Sequence, residues 1–327
     1  MISIKNMHKR LLVILLFFIP FFASAQYGNK IKKKADNGFV NKKNKPSRQI
    51  VVAIGAANFL GELGGANQIG TFFVKDFEFT ATRPSAAVGY RYKFNRYFAI
   101  KGGMYYCLVS GNDKLTTEPF RQNRNLSFRS NIFEASAQGE FYFTKEQQGH
   151  LYRIKNAKGK KSYNIQAYAF AGVGGFYYNP QAKYHGRWVN LRPLSTEGEG
   201  LPGGPKPYSR FSFCIPYGLG ITEGIRKDWT IGIEFGIRKT FTDYIDDVSD
   251  KYYDNSSLRM YKGQMAGDLA DPSLHRMPPQ YGGDNTGAWQ AAAGQERGDP
   301  THKDAYMFTN ITVSYKLKAH RKIKSKF

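Results

Sequence analysis

Three carboxylates, Glu134, Glu140 and Glu234, and three cations, Arg91, Lys101 and Arg238, each stand beside a bulky apolar or aromatic residue. Carboxylates held close together can do general acid–base work, one keeping a proton while the other takes one. A nucleophile, a base and an orienting group cannot be assembled around them. No alternating segment carries a His on its polar face, and no Gly-x-Ser-x-Gly occurs. The favoured reading is a structural network of opposite charges, and no enzymatic activity is expected. A second acidic group, Asp243, Asp246, Asp247, Asp250 and Asp254, has the oxygen-rich character that suits calcium. The glycine that an EF-hand loop needs is missing, so turn-capping by Asp side chains is preferred. Cys107 and Cys214 are the only two cysteines, which excludes a disulfide-stapled scaffold and leaves their pairing open. His150, His185, His275, His302 and His320 fall in turns, loops or the tail, so no metal or cofactor is expected.

The elements that carry the six charges have a period of two. In Trp229–Phe241 the odd positions are mostly Trp, Ile and Phe, and the even ones Thr, Gly, Glu and Arg. That is a strand with one apolar and one polar face. The pattern recurs eight times: about 49–59, 84–94, 97–110, 128–143, 163–178, 209–225, 229–241 and 304–317. The fifth segment is rich in small residues, and Ile165, Ala167, Ala169 and Val173 are assigned to its outer face. Tight turns at Asn95-Arg96 and Lys227-Asp228, with a moderate link 145–162, alternate with long links 60–83, 111–127, 180–208 and 244–303. Short turns at one end and long loops at the other predict an all-β, eight-stranded antiparallel transmembrane barrel with four long extracellular loops. Ile231, Ile233, Phe235 and Ile237 would then face lipid, with Trp229 and Phe241 at the two interfaces. Arg91, Lys101, Glu134, Glu140, Glu234 and Arg238 would share a lumen just wide enough for side chains to fill.

The ends fit export. Lys5, Lys9 and Arg10 precede an apolar run, Leu11–Phe22, and then Ala23-Ser24-Ala25. This is read as a signal peptide over 1–25, cleaved before Gln26, because twelve apolar residues are too few for a spanning helix. The remaining chain divides into a basic periplasmic arm, 26–48, a barrel, 49–317, and a basic tail, 318–327. The formal charge is +23, or +20 once the three signal cations are removed. The arm contributes +7 through Lys30, Lys32, Lys33, Lys34, Lys42, Lys43, Lys45 and Arg48 against Asp36. The link 145–161 contributes +5, with Lys145, Arg153, Lys155, Lys158, Lys160 and Lys161 against Glu146. The tail adds another +5 from Lys318, Arg321, Lys322, Lys324 and Lys326. All three belong on the side of the tight turns. Such blocks either solubilise and touch lipid headgroups or dock on an acidic periplasmic protein. Nucleic acid is excluded as a partner by the export signal.

Three stretches carry a family resemblance. They are Asn58-Phe59-Leu60-Gly61-Glu62-Leu63-Gly64-Gly65, the run from Arg238 to Ser249, and Arg297-Gly298-Asp299-Pro300 through Phe308. They resemble the PorG-like outer-membrane barrels of the Bacteroidetes type IX secretion system, over the whole mature barrel. The resemblance implies an outer-membrane component of protein export and, in gliding relatives, of motility. It also implies association with a periplasmic ring-forming lipoprotein and its partner, besides outer-membrane lipid. Against it stand a surface-binding or adhesion barrel acting through its loops, a lipid- or peptide-directed enzyme, and a narrow pore. The pore is disfavoured by the bulky, charged lumen.

Overall fold

The computed structural model describes residues 46–63, 81–116, 118–144, 165–226, 228–274 and 288–317. The basic stretches at 30–45, 145–161 and 318–326 lie outside them; Arg48 is described, exposed at the start of the first strand. The strands are β1 (Ser47–Leu60), β2 (Arg83–Lys93), β3 (Phe98–Asn112), β4 (Ser127–Tyr142), β5 (Ile165–Tyr184), β6 (Arg187–Asn190), β7 (Phe211–Gly224), β8 (Trp229–Thr240) and β9 (Ala305–Leu317). Each pairs antiparallel with its neighbours, and β1–β9 and β4–β5 pairings close eight of them into a barrel. Short β6 lies outside the ring, paired to the extension of β5. Closure leaves no open edge, which lipid would not tolerate.

Side-chain parity follows the period of two. On the outer wall Ile54, Met104 and Val173 are 65–69 % exposed. The residues between them point inward, and Gln49, Lys101, Glu134, Tyr168 and Asn310 are buried. A large apolar surface of this kind requires an apolar solvent. Ile165 and Val173 of β5 are on the outer face. Trp229 and Phe241 are exposed at opposite ends of β8. Ile237 differs from expectation, being only 4 % exposed although its parity is outward. Its cross-strand partner Met307 is also covered, and Asn58, level with Met307, exchanges hydrogen bonds with Thr82. Thr82, just before β2, thus meets the wall at Asn58.

At the rim where β1 begins, the β2–β3 and β7–β8 links are tight turns, whereas the β4–β5 link spans 143–164 and is longer than the sequence suggested. Between β2 and β3, Asn95 Oδ1 accepts from the backbone N–H of Tyr97 and Phe98 at 2.8 and 2.9 Å, which fixes the turn. At the opposite, far rim the long links are built, not merely long. β5 does not stop at Tyr178 as the sequence suggested, nor is 180–208 all loop. Pro180 looks like a strand end because it has no N–H to donate. Its carbonyl instead accepts from Leu191 N–H at 3.0 Å, and the strand runs on to a hairpin with β6. That hairpin turns through His185 and Gly186, both at positive φ (45° and 84°), as a two-residue turn of matching twist requires.

Helix α1 (Pro119–Arg124) fills the β3–β4 link, its first N–H groups capped by Glu118. Helices α2 (Asn255–Lys262) and α3 (Gln264–Ala270) stand in the β8–β9 link. Leu258, Ala266, Leu269 and Ala270 from these helices join Ala182, Leu191 and Leu194 in one buried cluster. Short helices are marginal alone, and this shared apolar face is what holds them. A larger cluster runs from the lumen into the far-rim loops: Phe59, Tyr105, Phe128, Phe176, Tyr208, Ile245 and Phe308 are among its members. The far end of the barrel is thus closed by a folded cap.

Candidate functional site

The six charged positions singled out from the sequence meet in the lumen. β2 supplies Arg91, β3 Lys101, β4 Glu134 and Glu140, and β8 Glu234 and Arg238, all at inward parity and nearly free of solvent. Arg91 Nε lies 2.7 Å from Glu140 Oε2. Lys101 Nζ is 2.6 Å from Glu234 Oε2 and 3.8 Å from Glu140 Oε1, linking the two acids. Arg238 Nε is 3.2 Å from Glu134 Oε2.

A shell of tyrosines extends the network, in which Glu134 Oε1 and Arg238 Nη2 are left without a hydrogen bond. Tyr168 donates to Glu234 at 2.8 Å, Tyr142 to Glu140 at 2.8 Å and Tyr306 to Glu134 at 3.0 Å. The Arg238 guanidinium also lies over the Phe308 and Tyr105 rings, at 4.3 and 5.0 Å. Buried charges are tolerated when paired and hydrogen-bonded, and here each acid has both a cation and a hydroxyl. Glycines make room for the bulk: a Cβ at Gly220 would fall 2.3 Å from Tyr168 Cζ, and one at Gly236 2.6 Å from Arg238 Nη1. The lumen is a packed polar core with its carboxylates engaged. The hydroxyl partners were not singled out in the sequence, although their inward parity was readable.

The Asp-rich stretch after β8 forms the base of the cap. Asp246 accepts from the N–H of Val248 and Leu63, and Asp304 from Ile245 N–H. Asp243 accepts from the Ser249 hydroxyl, and Asp247 from the Thr196 and Tyr208 hydroxyls. These side chains tie loops together, as turn-capping predicts, and no group with metal-ligand geometry occurs among the described residues. Arg297 crosses the cap to Glu197 at 2.9 Å and to the Asp247 carbonyl at 2.6 Å. Arg124 forks onto Asp113 at 2.8 and 3.0 Å. Burial pushes the Glu62 carboxyl up to about 7, against the Asp299 N–H and Arg124, which favour its charge. Burial likewise lifts Asp243 to about 6 and raises Asp246, Asp247, Asp304 and Glu199. Cys107 and Cys214 are both buried free thiols.

A family model described as a domain of unknown function, DUF6089, matches residues 39–267, from before β1 into α3. The chain belongs to this family. In this DUF6089 protein β9, beyond the matched region, completes the ring. No curated protein matches the chain. Among solved structures it is similar to Ail, the attachment invasion locus protein of Yersinia pestis, in complex with the heparin analogue sucrose octasulfate. That likeness has 9 % identity, a TM-score of 0.35, and covers 84 % of this chain and 99 % of Ail. OprG of Pseudomonas aeruginosa gives 9 % identity and a TM-score of 0.35 over 84 % of this chain and 99 % of OprG. Neisserial surface protein A gives 8 % and 0.34 over 83 % and 97 %. At these values the likeness carries no functional argument. The closed DUF6089 barrel is established by its own strand pairing and apolar wall.

Proposed function

We propose that this DUF6089 protein is a non-enzymatic outer-membrane component of the type IX secretion system that anchors or positions a periplasmic ring. The observation that carries this reading is the lumen, filled by its own side chains, in which each of Glu134, Glu140 and Glu234 is paired to a cation and a tyrosine. A plugged barrel works through the surfaces at its ends. The rim where β1 begins is taken as the periplasmic one, since an exported chain starts there and both tight turns, β2–β3 and β7–β8, lie there. Of the +20 on the exported chain, +17 belongs to 30–48, 145–161 and 318–326, segments that adjoin in sequence the strand ends at that rim. A basic face of this size steers and selects an acidic protein partner. The resemblance at 58–65, 238–249 and 297–308 supplies the secretion assignment and names the ring-forming lipoprotein and its companion as partners.

The test is a pull-down of the tagged full chain from crosslinked native membranes, with co-purifying proteins identified by mass spectrometry. The ring lipoprotein and its companion are expected. A barrel that comes down alone after crosslinking overturns the proposal.

A second reading, a surface-binding barrel, is favoured by the cap, whose loops are held in one arrangement by buried pairs such as Arg297–Glu197 and Arg124–Asp113. Deleting 263–297 would abolish function under that reading and leave ring anchoring intact under the first.

A further inference from the structure

The cap holds a cavity of about 300 Å³ between the segment that follows β6 and the end of α2. Arg192 and Lys262 supply two cations to its lining, Glu199 a carboxyl, Ser195 a hydroxyl, and Pro193 and Pro207 apolar walls. Both cations are positioned. Arg192 Nε donates to the Tyr208 carbonyl at 2.9 Å, and Lys262 Nζ to the Pro193 carbonyl at 3.3 Å. Glu199 is only 4 % exposed; its Oε2 accepts from Glu197 N–H, while its Oε1 has no protein partner. A buried polar atom left without a partner is costly unless something else completes it. Ser195 is held in the left-handed region at φ 54°, a conformation a non-glycine residue adopts at a cost.

From this arrangement we infer that the cavity is a binding site for a small hydroxylated carboxylate of the uronic-acid class. Two cations, Arg192 from one side and Lys262 from the other, call for an anion, and a carboxylate matches a guanidinium better than a point charge does. A buried carboxyl and a serine hydroxyl suit sugar hydroxyls, which both give and accept hydrogen bonds. Proline faces suit the C–H face of a pyranose ring, and the volume holds one sugar unit. Burial and the charge of Asp247 raise the Glu199 carboxyl above the usual range, so it keeps its proton to higher pH and repels an anion less. The acids behind it are engaged elsewhere: Glu197 with Arg297, and Asp247 with the Thr196 and Tyr208 hydroxyls. This site lies at the rim away from the proposed ring contacts and stands or falls independently of the anchoring role.

The test is calorimetric titration of the full-length barrel in detergent micelles with glucuronate, and with glucose, acetate and inorganic phosphate in parallel. Glucuronate is expected to saturate with a millimolar Kd, about tenfold tighter than glucose, which lacks the charge-assisted contact, and about tenfold tighter than acetate or phosphate, which lack the ring and its hydroxyls. Lys262→Gln and Arg192→Gln should each weaken it about tenfold, Glu199→Ala should weaken it likewise, and Glu199→Gln should retain most of the affinity. Heat-modifiable migration checks the fold of each variant. Should Arg192→Gln misfold, Lys262→Gln at an exposed helix end decides. Glucuronate binding no tighter than glucose, acetate or phosphate overturns the inference, as does unchanged affinity in Lys262→Gln.

Discussion

The pair Arg238–Glu134 shows how much rests on single residues inside the barrel. Glu134 Oε2 receives both Arg238 and Tyr306, and Arg238 lies between two aromatic rings. Removing one charge strands the other in a dry lumen. Glu134→Gln is expected to cost about 3–5 kcal/mol, the usual penalty for breaking a buried pair. Replacing both partners by apolar residues of similar volume should recover most of that loss. Urea unfolding followed by tryptophan fluorescence would measure both, and equal losses in the single and double variants would refute the pairing argument. The placement of these charges was legible in the sequence, because inward parity is a matter of counting by two. Which acid meets which base was not. Lys101 reaches both Glu234 and Glu140, a choice set by strand stagger across the closed ring.

Strands and cap obey different solvents. On the outer wall of β5, Val173 is 69 % exposed among apolar neighbours. Val173→Arg should destabilise the folded barrel by about 2–4 kcal/mol if it sits near the bilayer midplane. The same urea titration in lipid vesicles reads this, and a shift indistinguishable from that of Val173→Ala would put lipid elsewhere. The cap elements depend on buried carboxylates instead. Glu62 and Asp243 titrate near 7 and 6 in the folded chain, above the ordinary carboxylate range, because burial disfavours their charged forms. The folded cap therefore binds more protons than the unfolded one. Its stability is full below about pH 4, where both states are protonated, and declines as pH rises through 6 and 7. Amide protection factors at Leu63, Ile245 and Ser249, whose N–H groups bond to Asp246, Asp304 and Glu197, should fall between pH 5 and pH 8. Protection that rises over that interval would reverse the sign of the argument.

At the scale of the whole molecule the barrel separates its two rims by a filled lumen. The lumen is filled, so what happens at one rim reaches the other only through the strands. If the basic arm docks a periplasmic partner, neutralising Lys30, Lys32, Lys33 and Lys34 together should reduce partner recovery several-fold. Charge-steered association of this kind is also expected to weaken with salt. Heat-modifiable migration should be unaffected, because the closed ring of strands begins only at Ser47. Unchanged recovery from a folded barrel would remove the arm from the mechanism.

The sequence by itself determined the ring of strands and the two faces of each one. A period of two is local, and a bilayer outside with a packed lumen inside leaves one way to read it. It also determined that six charges would share the lumen. The far rim was decided by tertiary structure alone. The hairpin beyond Pro180 is local, but the packing of α2 and α3 against it and the cavity at Arg192, Glu199 and Lys262 join segments distant in the chain. Their helices are too short to announce themselves. Their stability comes from burying Leu258 and Leu269 against Leu191 and Leu194, a contact that no local pattern encodes.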